Sequence, residues 1–195
     1  GVAFIFDRSS AQPLIRFEGS NEVWALTPQY APGNDIIFKN DVGEPVLRLY
    51  RRGGLTVFTA TRPEGAAALL DGVASSLRPS SLIRYLEKSA SRLKAASDRT
   101  SRAAGRQIGV DVPDTGPDSL VVAVDAALVA FEAFDHLMKS DRDSKALARI
   151  SGVVVLEGSK PAVAVSRRSL VITVVPGRGA AGRPSSAKIM RELKG

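Results

Sequence analysis

The chain has 195 residues, 44% hydrophobic and 24% charged, a balance that suits a well-cored globular fold and excludes a disordered segment. It has no cysteine, which excludes disulfides, thiolate nucleophiles and zinc–sulfur sites. The net charge of +7 raises a polyanion partner, but it is spread as 0, +5, −4 and +6 over residues 1–60, 61–106, 107–151 and 152–195, so only the C-terminal excess lacks an internal counterweight.

The first sixty residues read as short strands: VAFIFD, PLIRFEG, EVWALTP, DIIFKND, PVLRLYRR and LTVFTA. Turn residues such as Gly19-Ser20-Asn21 and Pro32-Gly33-Asn34 punctuate them at the spacing of an antiparallel meander or half-barrel. If Gly53-Gly54 forms a two-residue hairpin loop, Leu49 stands opposite Phe58 and Tyr50 opposite Val57. Arg51 and Arg52 then flank the turn on opposite faces, which suits charged strand ends better than a ligand clamp.

Pro63 opens a predicted helix, PEGAAALLDGVA, ending near Gly72. A second helix is predicted from Ser80 or Ser81 to Gly105, with Leu82, Leu86, Leu93 and Ala96 as a narrow apolar stripe and Arg84, Lys88, Arg92, Arg99, Arg102 and Arg106 as a basic side. After the loop VDVPDTGPD comes the most apolar helix, over 118–138. Its polar stripe is Asp118, Asp125, Glu132 and Lys139, so it is expected at the centre of the core with Leu128 and Phe131 buried and Asp125 exposed. The β-branched run from Leu120 to Val124 would also suit a strand. The acids interrupt this segment often enough that no transmembrane span is expected.

A short helix, SKALARI, follows Asp141 and Asp143. The strands VVVLE, PAVAVS and SLVITVV are expected as a C-terminal three-strand meander, ahead of the loop PGRGAAGRP and a short terminal helix, SSAKIMREL. Strands, then long helices, then strands give an α+β class, expected as one domain over 1–195.

Four constellations invite chemistry. Gly177 to Gly182 has the glycine spacing of a phosphate loop, but Arg183-Pro184 replaces the lysine and removes a backbone donor, so no nucleotide is expected. What remains is a flexible connector with Arg178, Arg183 and Ser185 as candidate anion contacts at a helix N-terminus. Ser185 and Lys188 match Ser-x-x-Lys without its companion motifs, and a helix cap is the plainer reading. His136, with Glu132 and Asp135, is a weak polar cluster that too few donors surround for a zinc site, and no cofactor or metal is assigned. The carboxylates of the acidic stripe are spaced too widely for a paired acid and base, and are expected to face the basic helix instead.

The stretch VGEPVLRLYRRGGLTVFT followed by RPEGAAAL resembles a family of alphaproteobacterial proteins of unassigned function that typically carry a leader, the resemblance covering residues 13–70. It implies an envelope setting and transfers no catalytic residue. The start at Gly1 fits a removed leader or a tag remnant. The expected function is therefore a non-enzymatic binding or structural module, periplasmic or secreted, with unknown partners that include an anionic surface or ligand. The alternatives are a hydrolase or lyase using His136 and a weak binder of nucleic acid or anionic lipid.

Overall fold

The computed structural model describes residues 2–73, 75–79, 81–113 and 116–195. Ser80, one of the two expected helix starts, and Asp114-Thr115 of the expected loop lie outside them. The α+β class and its order, N-terminal sheet, central helices and C-terminal strands, are as the sequence implies. The chain divides into two compact units, Gly1–Leu77 and Arg78–Gly195.

The first unit is antiparallel throughout. Strands β1 (Phe4–Asp7), β2 (Leu14–Phe17) and β3 (Trp24–Ala25) pair in that order. Strands β4 (Thr27–Ala31), β5 (Asp35–Lys39), β6 (Pro45–Leu49), β7 (Leu55–Thr59) and β8 (Arg62–Ala68) form a second, five-stranded meander. Its core joins Ile15, Leu26, Phe38, Val46, Leu47, Leu55 and Val57. The buried Asp7 accepts from Ser9 N at 2.8 Å, Ser76 Oγ at 3.1 Å and Leu77 N at 2.8 Å, tying the end of the unit to β1. These donors, Ser9 foremost, hold its carboxyl down at about 2.

Two expectations fail here. The β6–β7 register pairs Leu49 with Leu55 and Leu47 with Val57, and not Leu49 with Phe58. Arg51 and Arg52 lie within the turn, which Gly53 N to Tyr50 O (3.0 Å) and Tyr50 N to Gly54 O (3.2 Å) close. The longer connection puts Leu47, Leu55 and Val57 together on the buried face, whereas the shorter one would have set Leu55 across from Arg52. Asp35 anchors the turn: it takes Arg48 Nη2 at 2.8 Å and Arg51 N at 3.1 Å, and the Arg48 hydrogen bond is the main reason its carboxyl lies below the usual range.

The second failure is the helix expected at Pro63, which is the edge strand β8. Alanine favours helix, but β7 has an unpaired edge, and tertiary pairing overrides a propensity worth tenths of a kcal/mol per residue. Gly65, at φ +89°, takes up the register shift between Val57 and Thr59.

The second unit is built on α2 (Pro117–Leu137), preceded by α1 (Leu82–Ala103) and β9 (Gly109–Asp111) and followed by α3 (Asp141–Ser144), β10 (Gly152–Glu157), β11 (Ala162–Ser166), β12 (Ser169–Val174) and α4 (Ser186–Lys194). The expected SKALARI helix is a 3-10 turn at Lys145–Leu147. Helix α2 is the core element foreseen, and the strand reading of Leu120–Val124 falls with it. Ala123, Ala126, Ala127, Ala130 and Ala133 are buried completely, and Phe131 packs edge-on to Phe134 at 5.6 Å. Leu128, expected with Phe131 in the core, is only half-buried.

The C-terminal strands depart from a three-strand meander. Their order is β11-β12-β10-β9, with β12 parallel to β10 and antiparallel to β11, and β9 parallel to β10 at the other edge. Burial explains the order. Val153 and Val155 of β10 and Leu170, Ile172 and Val174 of β12 are the residues the core requires, so these strands sit side by side beneath α2. The Ala- and Ser-containing β11 has no buried residue and goes to an edge.

Candidate functional site

Helix α1 carries two stripes where the sequence suggested one. Tyr85, Ser89, Ala96 and Thr100 form the first, facing α2 with Ser89, Ala96 and Thr100 buried. Leu86, Ala90, Leu93 and Ser97 form the second and line a groove of about 490 Å³. Leu120 and Val124 of α2 also line it, together with Val110 of β9 and the adjacent Val112. Its size and apolar walls are those of a ligand site.

Among the described residues, the hydrogen bonds that tie the β9 segment to α1 are at Ile108, at its start. Ser97 Oγ donates to Ile108 O at 2.9 Å and Ile108 N donates to Ser101 Oγ at 2.9 Å, so two serines stand where a neighbouring strand would. One turn back along α1 the facing residues are Leu93 and Ala90, which offer no hydrogen bond. There the groove opens.

The candidate anion contacts are dispersed. Arg183, expected on a flexible connector, is buried, its side chain 1% exposed, and its Nε donates to Asp125 Oδ2. Tyr85 Oη donates to the other oxygen of Asp125 at 2.7 Å. Asp125, expected on an exposed stripe, is therefore the joint between α1, α2 and the segment ahead of α4. Burial first, and the Asp125 charge second, push the Tyr85 hydroxyl well above its usual range, so it stays protonated and donating. Ser185 caps α4 by accepting from Lys188 N at 3.2 Å, which accounts for the Ser-x-x-Lys spacing, and Arg178 alone of the three is exposed.

His136 lies exposed on the last turn of α2. Asp135, three residues beyond Glu132 of the expected stripe, takes Arg99 Nη2 at 2.7 Å, while Asp125 of the stripe itself meets Tyr85. Among the described residues, no group of three or more His, Cys, Asp or Glu side chains is placed to hold a metal ion. A second cavity, about 630 Å³, borders Asp143, Lys145, Arg149 and Lys194, but Arg149 donates to Leu193 O at 3.1 Å and Lys194 pairs with Asp143 at 2.7 Å. These cations serve the end of α4.

A family model described as a domain of unknown function, DUF4908, matches residues 1–193. The chain belongs to this family. No curated protein and no solved structure matches it. No described helix is long and apolar enough to cross a membrane.

The groove lies outside residues 13–70, which carry the resemblance, and within the residues that the family model matches. Sequence reasoning found Leu86 and Leu93 but gave them to the core, and it placed Val110 and Val112 in a loop. The signal was present in Ile108, Val110 and Val112, an alternation of the kind a short strand leaves.

Proposed function

We propose that this chain is a non-enzymatic binding module of the bacterial cell envelope, holding an apolar ligand in the groove between α1, α2 and β9. The observation that carries the reading is the second stripe of α1: Leu86 and Leu93 remain half-buried beside an unfilled apolar groove, although α1 is already seated on α2 by its first stripe. The envelope setting is supported by the resemblance over 13–70. The hydrolase alternative draws little support from an exposed His136 whose neighbour Asp135 is engaged by Arg99. The polyanion alternative loses Arg183 to Asp125.

The test is titration with the apolar fluorophore anilinonaphthalene sulfonate. Saturable binding is expected, weakened at least about tenfold by Leu93→Glu, since burying one leucine contributes roughly 1.5–3 kcal/mol. Binding that ignores the Leu93 substitution would remove the groove as the site.

A further inference from the structure

We infer that the occupant of the groove is an extended segment of a partner protein, added as a strand to the open edge of β9; the inference rests on the binding reading above. Gly109 donates its N–H to Ser151 O at 3.1 Å, and β9 lies in parallel register with β10 from Gly109 to Asp111. Backbone groups alternate in direction along a strand. Gly109 and Asp111 therefore turn theirs to β10, while Ile108 and Val110 turn theirs to the far side. At Ile108 that far side is filled by Ser97 and Ser101. At Val110 the groove is lined on the α1 side by the aliphatic Leu86, Ala90 and Leu93, with Lys94 and Asp98 paired to each other. The groove thus combines aliphatic walls with one N–H and one C=O aimed along a strand's pairing direction.

A hydrocarbon chain in the same space would strip water from both groups and replace neither hydrogen bond. A peptide backbone replaces both, and its alternate side chains enter the groove. The α1 stripe from Leu86 to Ser97 rises about 16 Å, the length of roughly five extended residues. Charge selects further. Lys94 is paired with Asp98 at 3.0 Å, whereas Asp111 stands exposed on the opposite face of β9 from Val110 and offers a carboxylate there. A cross-strand Lys or Arg complements it. The segment that fits is apolar at alternate positions with basic residues between.

The probe is the peptide acetyl-Val-Lys-Val-Lys-Val-amide, titrated into the full chain and followed by amide NMR and hydrogen exchange. Saturable binding is expected, with exchange of the Val110 amide slowed at least about tenfold, because a new donor–acceptor pair shields it. Val110→Pro removes that donor at an edge where the ladder does not use it, and is expected to weaken binding at least about tenfold with the circular dichroism unchanged. If that variant does not fold, Leu93→Glu and the Val110 exchange rate decide. Peptide binding that leaves Val110 exchange unaltered, or that survives in a folded Val110→Pro variant, overturns the inference. If the peptide fails to bind while the fluorophore binds in a Leu93-dependent way, the strand addition is wrong and the groove stands. If neither binds, both readings fall.

Discussion

Asp125 shows how much one side chain in this fold is asked to do. It accepts from a tyrosine on α1 and from an arginine on the segment before α4, and it is itself on α2. Taking Arg183 out of water is expensive, and its pair with Asp125 offsets much of that cost, so removing either partner is strongly destabilising. Arg183→Ala and Asp125→Ala are each expected to cost about 3–5 kcal/mol. Chemical denaturation checks this, and a cost below about 1 kcal/mol, the size of an exposed pair, would show that the pair is not buried in solution. The sequence hid this role for a physical reason. A heptad of acids on an apolar helix has the same pattern whether it faces water or a cation delivered from 58 residues further along the chain.

Elements were legible where one local signal dominated. Helix α2 and the β-strand runs of the first unit declared themselves by periodicity, and Ser185 declared the start of α4. Local signals conflicted at Pro63-Glu64-Gly65-Ala66, where capping residues and alanines spell helix and only the unpaired edge of β7 spells strand. The edge won, and Gly65 is the residue that permits it. A Cβ there would lie 2.5 Å from Thr56 Cγ2 and 2.8 Å from Phe58 Cε1, on a backbone already at φ +89°. Gly65→Ala is therefore expected to destabilise by more than the roughly 1 kcal/mol that a left-handed backbone alone would cost. Thermal melting of the variant checks it, and an unchanged or raised melting temperature would mean that the β8 bulge does not form. The candidate groove was hardest to foresee, because it depends on what α1 fails to offer Val110, and an omission leaves no residue pattern.

At the scale of the whole molecule, each of the two compact units has its own hydrophobic cluster. The cluster of the second unit draws on α1, α2, β10, β12 and α4, all within residues 78–195. A fragment of those residues is expected to fold alone, with helical circular dichroism and a cooperative denaturant transition. A fragment that melts without cooperativity would show that the second unit depends on residues 1–77.

The placing of β12 between β10 and β11 has a consequence in time. Helix α2, the most apolar element, is complete at Leu137, but the central strand that helps to cover it ends at Val174. Neither β10 nor β11 can close the sheet in its absence, because β12 is the neighbour of both. At the usual pace of synthesis, about 5–20 residues per second, the ribosome leaves that helix without its floor for roughly 2–7 s. During this interval the nascent chain presents a row of alanines, valines and phenylalanines to its surroundings. A chain made in this order needs either a chaperone at hand or a provisional fold for α1 and α2, whose mutual contact is a part of the core available from the outset.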